Sequence, residues 1–292
     1  MATKQTTGEK VFDYLNFFIM VMLTLLMLYP VLLVAGRSLM GEYERAWNPY
    51  RIIPREVDLS GYRFILSSGS YVLRSYVTTI LRTTIGSFLN VILTSMFAYA
   101  VSKKWYPPRT VLTWIVIFTM WFSGGLIPTY LIIRALGLLN NFWVLILPQL
   151  IIPWNMFLLR NFFMSIPESL EESAKLDGAN DIGILFRLIL PISKPALATI
   201  TLFYAVFHWN AWFDAVVFIN KRNLWPVQVF LRQIVSTASS IELIEEGVLI
   251  DLPPSETVKM AVIVVVMVPI LCVYPFLQRY FVKGIIVGSL KG

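Results

Sequence analysis

The chain has 292 residues, 57% of them hydrophobic and only 14% charged, against roughly 25% charged in an ordinary soluble domain. With a mean hydropathy of +0.71, that composition excludes a soluble globular enzyme and describes a membrane protein. Basic loops at a membrane surface account for the net charge of +7 without nucleic acid, and one Cys with one His excludes an intrachain disulfide and a Cys/His metal site.

Residues 1–10 are polar and read as a disordered or interfacial lead. The first apolar segment, 11–34, follows a Lys, so a signal peptide has to be weighed. It is too long for one and lacks a small-x-small cleavage site, so it reads as a retained transmembrane helix whose outer end Pro30 loosens. Residues 36–74 form a polar loop with turn signals at Asn48-Pro49, Ile53-Pro54, Ser60-Gly61 and Ser68-Gly69. The second span, 75–101, carries Thr78, Thr79, Arg82, Thr83, Thr84, Ser87, Asn90, Thr94 and Ser95. Such a helix cannot face lipid all round and belongs inside a bundle or beside a water-filled cavity. Lys103, Lys104 and Arg109 occupy the brief connection after it.

The third span, 111–133, contains Gly124-Gly125 and Pro128, which weaken the helix. The fourth, 141–159, is interrupted by Pro148 and Pro153. The fifth and sixth run over 196–219 and 258–281. These spans account for the chain as one all-α transmembrane domain over residues 1–292, with no second domain, repeat or low-complexity tract.

Between the fourth and fifth spans lies the longest charged amphipathic passage, Ser165–Pro195. Ser165 and Glu168 have capping-box spacing for a helix start, Asp177-Gly178 ends that helix, and Asn180 or Asp181 can cap a second one stopped by Pro191. On its own this is a helix, a glycine corner and a helix, which a plain surface hairpin would also show.

Within it, Glu172-Ser173-Ala174, three residues, Gly178, nine residues and then Leu188-Ile189-Leu190-Pro191 resemble the EAA loop of ABC importer permeases, with Ser173 in place of the usual first Ala. NPYRIIPREVDLSGYRFIL, FSGGLIPTYLIIRALGLLNNFWVLILP and the terminal QRYFVKGIIVGSLKG resemble the carbohydrate-importer, maltose-permease-like branch of that family. The resemblance implies a type I ABC importer permease fold with six transmembrane helices and a cytoplasmic coupling helix. It assigns Glu171, Glu172, Ser173, Ala174, Asp177, Gly178 and Ala179 to coupling with an ATPase. It further implies a second related permease subunit, two ATP-binding subunits that hold the ATP and Mg, and an extracytoplasmic solute-binding protein met by the loop around 220–257, with its acidic run near Glu242–Asp251. The setting would be the bacterial inner membrane with both termini cytoplasmic. Charge alone does not orient the chain: of its 24 Lys and Arg, twelve fall on the inner segments of this topology, eleven on the outer ones, and Arg82 lies within the membrane.

No Gly-x-x-x-x-Gly-Lys-Ser/Thr, Gly-x-Ser-x-Gly or His-Glu-x-x-His occurs, so the chain is expected to be a conduit and not an enzyme, with no catalytic residue, metal or cofactor of its own. Polar residues at membrane depth are then the informative ones. Arg82 sits about 10 Å into the second span; it either pairs or snorkels, or it lines a cavity. In Tyr204–Asp214, read as one helix, His208 and Trp212 share a stripe, Asn210 and Asp214 share another nearly opposite, and Trp209 and Phe213 form a third. Aromatic faces suit sugar rings and Asn or Asp suit hydroxyls, although Trp near a helix end is equally an interfacial anchor. Trp154 and Asn155 are a second candidate pair. Arg37, Arg74, Arg82 and Arg134 suit an acidic, uronate-type oligosaccharide. The alternatives from other classes are a secondary transporter without an ATPase and a structural or receptor-like membrane protein.

Overall fold

The computed structural model describes residues 6–66, 71–237 and 256–289, and the described residues contain helices and turns but no strands. In chain order the helices are α1 (Thr7–Arg37), α2 (Glu42–Trp47), α3 (Ser60–Leu66), α4 (Tyr71–Ser102), α5 (Arg109–Trp121), α6 (Leu126–Ala135), α7 (Pro153–Met164) and α8 (Glu168–Leu176). They continue with α9 (Asp181–Ile184), a π-helical turn (Leu185–Ile189), α10 (Leu190–Ile192), α11 (Lys194–Asn210), α12 (Phe213–Phe218), α13 (Val227–Thr237) and α14 (Glu256–Ser289). The acidic run at 242–251 lies outside the described residues.

Among the described residues, three helices are long and apolar enough to cross a membrane: Thr7–Arg37, Val72–Ser102 and the Glu256–Val273 stretch of α14. The other expected spans are bent pairs. The third breaks between α5 and α6 by 119°, where Gly125 takes φ +82, a left-handed conformation that favours glycine. The fourth is two 3₁₀ turns (Phe142–Leu145 and Leu147–Gln149) followed by α7, bent by 50°. The fifth joins Asp181–Ile192 to α11 with a bend of 87°, and it is not one helix over 196–219, because α11 stops at Asn210, Ala211 is extended, and α12 restarts at Phe213.

Contacts group the chain into two compact units, Met1–Ser70 with Gln233–Met267, and Tyr71–Arg232 with Val268–Gly292. In the first, α1 begins inside the stretch read as an unstructured lead. Thr6 Oγ1 accepts from the Glu9 amide, and the Thr6 amide donates to Glu9 Oε2 at 2.7 Å, a full capping box. Along its length α1 exposes Phe12, Phe17, Leu25 and Met27, apolar on all sides as a lipid-facing helix is, and it runs unbroken through Pro30. The loop after it is anchored by the buried Arg45, which donates to the Met40 carbonyl and to Thr257 Oγ1, both at 2.6 Å.

In the second unit α4 packs against α11 and α7. Ala98, Tyr99, Met156, Leu159, Phe163, Ile189, Ile200 and Tyr204 form its main buried core. A second core joins Ile133, Val144, Leu145, Ala215, Phe218, Ile219 and Val229. The sequence expectation for α4 follows from this packing: most of its polar residues lie on the face turned to its neighbours, with Thr84 exposed. Thr79, Arg82, Ser87, Asn90, Thr94 and Ser95 are all buried.

Candidate functional site

Two candidate sites lie in the second unit, one along α4 and one on the 165–195 loop. The first is organised by the stripe Thr79, Arg82, Gly86, Asn90 and Thr94 on α4, spaced three or four residues apart so that the side chains stack along one face. Arg82 is fully buried and its guanidinium forks onto Asp214. Nη1 reaches Oδ1 at 3.2 Å and the Ala211 carbonyl at 3.3 Å, and Nη2 bonds Oδ2. Arg82 therefore pairs and does not snorkel. The pair also accounts for the α11–α12 break, because the freed carbonyl of Ala211 and the displaced Asp214 are the groups that satisfy the guanidinium.

One turn deeper, His208 is fully buried and its Nε2 lies 2.7 Å from Asn90 Oδ1, while Asn90 Nδ2 donates to the Gln149 and Leu150 carbonyls at 2.6 and 2.8 Å. Gly86 makes room for that imidazole: a Cβ there would lie 2.5 Å from His208 Nε2. Deeper still, the Thr94 and Tyr204 hydroxyls are 2.7 Å apart, and Tyr204 accepts from the Ile152 amide at 3.1 Å. Asn90 and Tyr204 thus replace the hydrogen bonds lost where the chain unwinds around Gln149–Ile152. Among the described residues Arg82 Nε, Thr83 Oγ1, Ser87 Oγ and His208 Nδ1 keep unused hydrogen-bonding capacity.

At the C-terminal end of α11, Asn210 is exposed. Its Nδ2 donates to the Val206 carbonyl at 2.9 Å, and Gln228 Nε2 approaches its Oδ1 at 3.5 Å. Trp212 lies under Arg232, whose guanidinium carbon is 3.7 Å from the ring centroid. Trp209 is buried edge-on to Tyr76, with centroids 6.2 Å apart. Of the second candidate pair, Asn155 is buried whereas Trp154 is 62% exposed, so they point into different surroundings.

The 165–195 loop forms the helix, glycine corner and helix that its residues suggest, with two corrections. Ser165 does not cap α8. It closes α7, with its Oγ donating to the Phe162 carbonyl at 2.7 Å, and Pro167 takes the N-cap position instead. Nor does Pro191 stop the second helix. The wider π turn ahead of it lets the ring pass without a clash, and the helix ends at Ser193. The corner itself is a Schellman closure: the Ala179 amide donates to the Ala174 carbonyl and that of Gly178 to Lys175, both at 3.0 Å, with Gly178 at φ +82. Asn180 caps α9 through the Gly183 amide at 2.8 Å.

Of the residues assigned to coupling, Glu172, Ser173, Asp177, Gly178 and Ala179 are exposed and Ala174 is half-buried. Glu171 alone turns inward. It is 8% exposed, bonded to Lys103, and within 3.4 Å of the Tyr99 hydroxyl, while Lys103 Nζ stands 4.2 Å from the Tyr99 ring centroid. One turn earlier Glu168 meets Lys104 at 2.8 Å in full solvent, and that hydrogen bond and charge hold its carboxyl below the usual range. Leu176, Ile182 and Phe186 are exposed beside the corner.

The family described as binding-protein-dependent transport system inner membrane component matches residues 7–287. The chain belongs to this family. The permease is 42% identical over 289 residues, 97% of its own length and 99% of the relative's, to the polygalacturonan/rhamnogalacturonan transport system permease protein YtcP of Bacillus subtilis. It is 40% identical over 291 residues, covering 98% and 97% of the two chains, to protein LplC of the same organism. A crystal structure of a bacterial ABC transporter involved in the import of the acidic polysaccharide alginate contains a chain that superposes with a TM-score of 0.83 at 35% identity, covering 95% of the permease and 99% of that chain. The bent pairs therefore belong to a type I ABC importer permease fold, and the permease is a multi-pass inner-membrane component. Its family is one of permease subunits, which are not themselves enzymes.

Sequence reasoning missed several contributors to these sites. Asn90 and Tyr204 looked like ordinary polar residues of their spans, and Lys103 like a loop charge. Gln228 and Arg232 stand one turn apart on α13, a spacing that could have marked a shared polar face.

Proposed function

We propose that the permease is one transmembrane subunit of an ATP-driven importer of acidic oligosaccharides. The observation that carries this reading is the full-length likeness to a 42%-identical permease for polygalacturonan and rhamnogalacturonan, and to the permease of an importer for alginate. Polygalacturonan and alginate share carboxylate-bearing sugars. The permease pairs with a related permease subunit and two ATP-binding subunits that hold ATP and Mg, and it accepts sugar from an extracytoplasmic solute-binding protein. Both termini lie on the cytoplasmic side.

Transport proceeds by alternating access. Closure of the ATPases draws the 165–195 loops together and opens the path outward; reopening turns it inward. The exposed Glu172, Ser173, Asp177, Gly178 and Ala179, with Leu176, Ile182 and Phe186 beside them, form the surface that the ATPase grips. Glu171 ties α8 to the end of α4, so motion of the loop reaches the helix that carries Arg82 and Asn90. The sugar meets Asn210, Trp212 and the surroundings of the Arg82–Asp214 pair. In contrast, the buried Trp209 and His208 shape the wall. The test is ATPase activity of the reconstituted complex with its binding protein. Galacturonate oligomers should stimulate it, and stimulation by neutral oligomers alone would overturn the acidic assignment.

A further inference from the structure

We infer that Arg232, held on the face of Trp212 and flanked by Gln228 and Asn210, is a subsite that recognises the carboxylate of the incoming sugar. This rests on the reading of the permease as an importer of acidic oligosaccharides and names the residue that makes the distinction. Arg232 and Gln228 lie one turn apart on α13, and Trp212 and Asn210 flank the break between α11 and α12, so helix α13 and the unwound segment bring the four together.

The chemistry of the cluster is directional. The guanidinium carbon sits 3.7 Å from the Trp212 ring centroid, a stack that uses the flat face of the guanidinium. Its in-plane N–H groups, which bind carboxylates two at a time, stay free. Arg232 is exposed, and among the described residues no carboxylate lies within 4.0 Å of it. The nearby acid that would repel an anion, Asp214, is already neutralised: Arg82 engages both of its oxygens, and the Ala215 amide donates to Oδ1 at 2.8 Å. Stacking also fixes the side chain before the sugar arrives, which lowers the ordering cost of binding. Gln228 and Asn210 supply amides for hydroxyls beside the carboxylate. Phe213, 53% exposed with its ring centroid 5.6 Å from that of Trp212, offers an apolar face for the sugar's C–H side.

A lysine would place charge there without the fork, and a glutamine would keep hydrogen bonding without charge. The experiment therefore measures initial uptake of a galacturonate oligomer and of its methyl-esterified counterpart into proteoliposomes that hold the full complex and binding protein. For each variant the ratio of the two rates is divided by the wild-type ratio, which cancels the binding protein's own preference. R232Q should lower this ratio roughly tenfold, the loss expected for a hydrogen-bonded charge pair, with ester uptake changed less than about twofold. R232K should fall between R232Q and wild type, and it carries the test if R232Q does not assemble. Equal loss for both sugars would make Arg232 a structural clamp or a contact for the binding protein and would overturn the inference, as would no change in either. A wild-type complex that ignores the acidic oligomer would instead overturn the underlying reading of substrate class.

Discussion

The bond between Glu171 and Lys103 is, among the described residues, the buried ion pair by which the 165–195 loop holds the end of α4, and it sets a number. Both side chains are nearly removed from solvent, with 10% and 11% of their surface exposed. Removing one partner of a fully buried pair costs about 3–5 kcal/mol because the other is left uncompensated. Here Lys103 lies just past the end of α4, where its ammonium can reach the interface, and the Tyr99 ring at 4.2 Å returns part of the loss. Glu171→Gln should therefore cost about 2–3 kcal/mol of local stability, and Lys103→Met a similar amount. The double variant leaves no orphaned charge and should be no worse than either single one, an interaction energy of about 2 kcal/mol. Amide hydrogen exchange of the 165–180 segment in the assembled complex reads this directly. At about 1.4 kcal/mol per tenfold, each single variant should exchange on the order of 30-fold faster, and the double variant no faster than that. Glu168→Gln, which loses only the solvent-exposed bond to Lys104, should leave exchange unchanged. Additive losses in the double variant, or a single variant that exchanges like wild type, would refute the argument that the pair anchors α8.

Three further outcomes follow from the same geometry. Asp214→Ala should cost about 3–5 kcal/mol, since it strands the fully buried Arg82 with only the Ala211 carbonyl; the yield of assembled complex should collapse, and should recover in part with R82M/D214A. Gly86→Ala should force α4 and α11 apart at about 1–3 kcal/mol, because its Cβ meets the buried imidazole and not a flexible tip. Adding H208A should relieve it, measured by thermal loss of the complex. A Cβ at Gly178 would meet nothing within 4 Å in this chain, so the internal cost of Gly178→Val starts from the left-handed strain of about 1–2 kcal/mol. Assembly should survive while binding-protein-stimulated ATPase is lost; normal stimulation would remove Gly178 from the coupling surface.

Helices α1 and α14 were legible because their apolar runs are continuous, α4 because its length and remaining apolar residues still suffice for a span, and the glycine corner because Asp177-Gly178 leaves little else for the backbone to do. The breaks were harder. That between α11 and α12 contains neither Gly nor Pro; it arises from Arg82, which lies far away in the chain and draws Asp214 and the Ala211 carbonyl toward itself. The stripes read from a continuous Tyr204–Asp214 helix therefore fail at Trp212 and Asp214, though they hold for His208 and Asn210, which fall on opposite exposures. Capping patterns misled in both directions. Ser165 and Glu168 have capping-box spacing without the geometry, because Pro167 and the end of α7 intervene, whereas Thr6 and Glu9 at the same spacing make the bonds. Arg232 was invisible as a site residue, since its partner Trp212 is reached only through the fold.

The most direct test of the account is uptake of labelled galacturonate oligomer into proteoliposomes holding the permease with its sister subunit, its ATPases and its binding protein. Uptake should require both ATP inside and binding protein outside, and should continue when ion gradients are collapsed. Uptake that survives without ATP and follows a proton or sodium gradient would contradict it and make the chain a secondary transporter.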